Sequence, residues 1–321
     1  MKTMLLGMAV LVGVGLATSC SNSHFDTELV TLSVPGPIPG CIAVNSAGVY
    51  WADTYANTIL SAPVGGLPDG GAPTTVASVA NPICVAADDT NVYWTGGTTV
   101  AKAPLGGGKP TVVAARQTGL GTIALDATSV YWTALEGDDV NLGVIMKAPL
   151  GGGTPTTLAT GQLSPTGLSV DGKDVYWANQ DGTGSSVMTL SLVNHTSPTA
   201  LVSGQDTIYG VAVNATSVYW TSAGNVMSVL RAGGDGVTAI ASSQISPTAI
   251  AVDANAVYWT SDVGSVGAGG SVMSIPSGGT TIVTLASGET FPNAIAADAT
   301  HVYWIGYVGS RTKLHTLRKS P

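Results

Sequence analysis

Apolar positions along this chain come in short runs broken by turn residues, not in long amphipathic stretches. Residues 120 to 161 show the pattern: LGTIALD, a turn at ATS, then VYWTA, a variable stretch, VIMKAPLGGG and TPTTLATG. Each run is four to eight residues long, rich in β-branched and aromatic residues, and bounded by Gly, Pro, Ser or Asp. That pattern predicts four short strands. Within Val-Tyr-Trp, the twofold alternation of a strand sends Val and Trp to one face and Tyr to the other.

The unit recurs seven times. Every tryptophan of the chain closes a Val-Tyr-Trp tripeptide: Trp51, Trp94, Trp132, Trp177, Trp220, Trp259 and Trp304, spaced 38 to 45 residues apart. A single four-stranded unit cannot bury both faces of its sheet, whereas stacked units can. The expected fold is all-β, a seven-bladed β-propeller with four-stranded antiparallel blades over residues 27–321. The seventh unit stops after its third strand, while Glu28–Leu32 precedes the first unit and reads like a fourth strand. Pairing that segment beside residues 312–319 would complete the last blade and cover its edge.

The Val-Tyr-Trp-Thr cores, preceded by segments such as Ile-Ala-Val-Asp and followed by Gly-Gly turns, resemble the YWTD and NHL classes of β-propeller. The full Tyr-Trp-Thr-Asp is absent from every unit, and only Trp51-Ala52-Asp53 carries an acid at the fourth place. The resemblance implies a binding platform, although related propellers include hydrolases and lyases.

The N-terminus reads differently. Lys2 precedes an apolar run from Met4 to Ala17, a length that suits a signal peptide and falls short of the ~20 residues that span a bilayer. Ala17-Thr18-Ser19 before Cys20 resembles a bacterial lipobox, with Cys20 the lipidated residue. The expected organisation is therefore a signal peptide at 1–19, a short tether at 20–26, and an extracytoplasmic propeller, secreted or anchored to the bacterial outer membrane by lipid. Composition is consistent with a folded chain, at 45% hydrophobic and 9% charged. Eleven Lys and Arg against 19 Asp and Glu give a net charge of −8, which excludes a basic field for nucleic acid or anionic lipid.

Candidate chemistry separates into what repeats and what varies. An Asp or Asn stands four residues before each Val-Tyr-Trp: Asn45, Asp88, Asp126, Asp171, Asn214, Asp253 and Asp298. Interchange of acid and amide fits a turn cap, whose oxygen accepts from backbone N–H groups, better than a ring of charge chemistry. Cys41 and Cys84 occupy the same place in units one and two. Side by side near the axis they would form a disulfide, matching an oxidising compartment. The four His lack metal-ligand spacing, and the Gly-Gly-Gly runs lead into strands, as hairpin turns do.

The connections between second and third strands vary most, and they share a face with the crossovers between blades. That face carries Asp53, Tyr55, Glu136, Asp138, Asp139, Asp181, Asp262 and Tyr307, with the 135–143 loop as its acidic centre. The expected function is a monomeric, non-catalytic binding module for a protein, a polar small molecule or a glycan. It requires no cofactor, with a divalent cation left open at the acidic face. The rival is a cation-assisted enzyme, lactonase- or lyase-like, with its site at the mouth of the axis.

Overall fold

The computed structural model describes residues 25–35, 40–66, 71–137, 139–180, 182, 184–194, 197–233, 236–262, 269–308 and 311–319; for 25–35, 139–141, 307, 308 and 311 it describes the backbone alone. The expectations placed on residues 1–19 and on Cys20, Asp138 and Asp181 fall outside these residues.

Seven four-stranded antiparallel sheets form seven blades. In the first, the strands run Ile42–Asn45, Gly48–Asp53, Thr58–Ala62 and Thr74–Ser78 in spatial order. Each first strand lies beside the first strands of both neighbouring blades, so these seven line the axis. Ala294–Ala297 of the last blade meets Ile42–Asn45 of the first and closes the ring.

The last blade takes its fourth strand from the N-terminus. Phe25–Pro35 pairs antiparallel with Arg311–Lys319, from Phe25 opposite Lys319 to Pro35 opposite Arg311. The strand is longer than the 28–32 core read from the sequence and begins at Phe25, inside the expected tether. Its ladder removes the edge that the seventh sheet would otherwise expose.

Seven buried clusters hold the blades together, one per interface. Each contains the Tyr of one Val-Tyr-Trp and the Trp of the next: Tyr50 with Trp94, Tyr93 with Trp132, Tyr131 with Trp177, Tyr176 with Trp220, Tyr219 with Trp259, Tyr258 with Trp304. The seventh joins Tyr303 to Trp51 across the closure. All seven tryptophans are at most 1% exposed. Strand alternation is the cause: one tripeptide supplies an aromatic to the blade before it and another to the blade after it.

Candidate functional site

The Asp and Asn ring is a set of turn caps on the face of the first-to-second strand turns. In every blade one side-chain oxygen accepts from the backbone N–H groups two and three residues on. Asp126 takes Thr128 and Ser129 at 2.7 and 2.8 Å, and Asn214 takes Thr216 and Ser217 at 3.0 and 2.9 Å. The other oxygen of Asp88, Asp126, Asp253 and Asp298 accepts from the Tyr hydroxyl of the same blade. Burial alone would raise these carboxyls, but the converging donors outweigh it and hold all four below the ordinary value. The paired tyrosines move the other way, raised first by burial and then by the adjacent carboxylate. In blade 4, Arg231 reaches over from blade 5 and pairs with Asp171 and Asp174.

The opposite face carries the crossovers, the second-to-third strand connections and the mouth of the axis. A cavity of about 400 Å³ opens there. Its lining comes from the entry ends of the seven first strands. Apolar side chains such as Ile123 and Leu168 alternate with the glycines Gly40, Gly167 and Gly210, the hydroxyls of Thr122 and Thr248, the amide-bearing Asn293, and Tyr209, which is half exposed. The Cys41–Cys84 disulfide forms part of the rim, with Cα atoms 5.0 Å apart, as their equivalent positions in adjacent blades led one to expect. First strands are the inner edges of their sheets, so backbone N–H and C=O groups also face the axis.

Of the acids singled out in the sequence, Asp53, Glu136 and Asp262 form no part of this lining. Asp53 is only 4% exposed, and its carboxylate accepts from the N–H groups of Tyr55 and Ala56 at 3.0 and 2.8 Å, capping the second-to-third strand turn of blade 1. Tyr55 stands out into solvent at 80% exposure. Glu136 accepts from the Gly161 N–H at 2.7 Å. The 135–143 segment is a hairpin extension more than a loop: Leu135 pairs with Gly143 and Glu136 with Asp139 across the two strands. Asp262 begins the connection of blade 6, its N–H donating to Ser246, and the Tyr307 backbone is registered opposite Thr312. These residues share one face but do not converge on one point. Among the described residues no group of three or more His, Cys, Asp or Glu is placed to hold a metal ion.

Two structural sets went unread in the sequence. The Thr after Trp bonds to first strands: the N–H groups of Thr122, Gly210 and Ala249 reach Thr133, Thr221 and Thr260 in their own blades, and Thr95 and Thr221 donate to the Gly121 and Thr248 carbonyls of the next blade. The second set is Gln117, Gln162 and Gln244, each 15 residues before a Trp, whose amide oxygens accept the indole N–H of Trp132, Trp177 and Trp259 at 3.0 to 3.1 Å. The constant 15-residue offset was the available signal. Glu289 holds the same place before Trp304.

No protein-family model matches the sequence, and no curated protein is significantly similar to it. Solved structures are. The chain is similar to virginiamycin B lyase from Staphylococcus aureus, at TM-score 0.69 and 13% identity over 91% of this chain and 99% of that one. A streptogramin B lyase gives TM-score 0.68 and 14% identity over 90% and 98%. A chain of a nidogen/laminin complex gives 0.55 and 18% over 81% and 93%. At these identities the likeness is one of fold, and the fold it shows is the β-propeller.

Proposed function

We propose that this protein is a non-catalytic binding module that takes a neutral polar ligand, a small molecule or glycan, at the mouth of its axis, on the face of the long connections. The observation that carries this reading is the cavity lining. Hydroxyls, an amide, glycine backbone and one half-exposed tyrosine, set over apolar side chains, suit hydrogen bonding and stacking to an uncharged ligand. In this reading the acids of the same face, Asp53 and Glu136 among them, lie outside the lining and would disfavour anions that approach it. An extracytoplasmic location, with a lipid on Cys20, belongs to the same proposal.

The test is saturation-transfer NMR against neutral oligosaccharides, run on the wild type, on Asn293→Ala with Tyr209→Ala, and on Glu136→Gln with Asp138→Asn and Asp139→Asn. Loss of signal in the mouth variant with the fold intact supports the assignment. Binding unchanged in both variants overturns it. The lyases among the structural neighbours motivate a second reading, an enzyme using the same mouth with a divalent cation. Calorimetric titration with Mg²⁺, Ca²⁺ and Mn²⁺ separates the two, because only the enzyme reading requires tight cation binding there.

A further inference from the structure

The polar side chains at the mouth of the axis are gathered on one side of it. The residue that enters each first strand stands two places before the aliphatic residue lining the cavity below, as Tyr209 does before Val211 and Asn293 before Ile295. Blades 4 to 7 place Thr166, Tyr209, Thr248 and Asn293 at that position, hydrogen-bonding side chains on consecutive blades. Blades 1 to 3 place Gly40, Ile83 and Gly121 there, none with a side-chain donor or acceptor. One place deeper, the Cys41–Cys84 disulfide continues the apolar side across blades 1 and 2. Thr122 of blade 3 also lines the cavity, but its hydroxyl is engaged, 3.4 Å from Thr133 Oγ1 and accepting from the Leu168 N–H at 3.4 Å. Among the described residues, no charged side chain lines the cavity.

A ligand seated here meets two different walls. On the side of blades 5 to 7, Tyr209 is 50% exposed and Asn293 is exposed, so a phenol and an amide are open to it. Thr248, between them, is held by the Thr260 hydroxyl 2.8 Å away. Phenol and amide each donate and accept, which matches the vicinal hydroxyls of a sugar, since every hydroxyl also does both. An ammonium or a carboxylate would find no opposite charge in this lining. On the side of blades 1 and 2 the wall is the disulfide, with Ile83 37% exposed beside it. A ligand hydroxyl turned that way loses water and gains no side-chain partner.

Resting on the axis-mouth reading above, we propose that the ligand is a glycan ending in a 6-deoxyhexose. Its ring hydroxyls face Tyr209, Thr248 and Asn293, and its C6 methyl group faces Cys41–Cys84. The corresponding hexose differs by one hydroxyl at C6, and that hydroxyl would be turned toward the side that cannot bond it. The two-sided rim therefore sets the specificity, accepting hydroxyls on one edge of the sugar and penalising one on the other. A cavity of about 400 Å³ lies in the range of small-molecule sites and takes a terminal sugar.

The probes are the methyl glycosides of L-rhamnose and L-mannose, and of D-quinovose and D-glucose, pairs whose members differ only at C6. Titrations followed by saturation-transfer NMR are expected to show the 6-deoxy member of a pair bound about tenfold more tightly, the cost of one unpaired hydroxyl, with its methyl protons strongly saturated. Gly40→Ser sets a hydroxyl on the apolar side, at a position where an added Cβ meets only the Ile83 carbonyl, at 3.8 Å. It should bring the members of a pair to within about twofold of each other. Gly40→Ala adds the carbon without the hydroxyl and should keep the preference; thermal unfolding confirms that both variants fold. Equal binding within every pair that binds, or a preference that Gly40→Ser leaves unchanged, overturns this inference and leaves the axis-mouth reading standing. Binding of none of the four sugars overturns both.

Discussion

Thr95 donates its hydroxyl hydrogen to the carbonyl of Gly121, 2.8 Å away in the next blade. Thr221 makes the same link to Thr248. These bonds tie second strands to the first strands of their neighbours near the axis, and they explain a Thr after Val-Tyr-Trp in physical terms. Blades 1, 4 and 7 have Ala52, Ala178 and Ile305 at that place, none with a hydroxyl to give. Blades 1 and 2 are joined at the same radius by Cys41–Cys84 instead. At that interface the covalent bond stands where Thr95 and Thr221 place a hydrogen bond elsewhere in the ring.

Reduction of that disulfide, or Cys41→Ala with Cys84→Ala, is therefore expected to weaken one particular interface. The bridge spans a sequence separation of 43 residues, for which loop-closure entropy gives about 4 kcal/mol before strain. Denaturant unfolding should show a loss of about 2–4 kcal/mol. Amide exchange should rise first at 40–45 and 82–87. An unchanged midpoint would mean that the clusters of Tyr50 and Trp94 hold this interface alone.

Removal of the N-terminal strand, residues 25–35, should cost several kcal/mol, since it strips a ladder of backbone hydrogen bonds from Arg311–Lys319 and bares that edge. Concentration-dependent association is the expected companion, measured by analytical ultracentrifugation. Stability equal to that of the full chain would show that the seventh blade does not depend on this pairing.

The fold was legible because its determinants are local and repeated. Trp, Tyr and the capping Asp or Asn recur at fixed offsets in every unit, and one strand was visibly missing from the last. The cysteine pair could be read because two equivalent positions broke the pattern together. Glu136, Asp53 and their neighbours were harder. A sequence shows that acids share a face but not that Asp53 turns inward to cap a hairpin, nor that Glu136 binds the backbone at Gly161. The mouth was hidden for another reason: its lining is glycine, threonine and backbone, residue types that carry no distinctive signature.

Asp126→Asn should separate the capping role from charge. Burial pushes the Asp126 carboxyl up, but donation from Tyr131, Thr128 and Ser129 brings it below its ordinary 3.8. A depressed carboxyl contributes stability above its unfolded pKa and loses it as pH falls through the folded value. Asn45 and Asn214 show that an amide caps the same turn. The variant should fold and be less stable by about 1 kcal/mol at pH 7, where it lacks the charge-assisted bonds. That difference should shrink toward zero below pH 3.8, measured by thermal melts across pH. A constant difference at all pH values would show that charge plays no part.

The last blade replaces two repeat residues by titratable ones that meet. His315 stands opposite Trp304, where four other blades place Met, and stacks on the indole with ring centroids 5.2 Å apart. Its Nε2 lies 3.4 Å from Glu289, and both side chains are buried. Burial, aided by Lys313, lowers His315 from 6.5 to about 4, while burial raises Glu289 above 4.5 against the opposing pull of the Trp304 N–H and Lys313. The signs are opposed. A depressed histidine binds fewer protons when folded, so its contribution is lost as pH falls from 6.5 to about 4. A raised carboxyl binds more protons when folded, so its contribution grows on acidification through its folded value toward 4.5 and offsets part of that loss. His315→Met should remove the first effect and leave the second, making the melting temperature rise on acidification relative to wild type over that interval. His315→Met with Glu289→Gln should remove both and follow the remaining carboxylates alone. Identical pH profiles for wild type and both variants would mean that the buried pair exchanges no proton with solvent over this range.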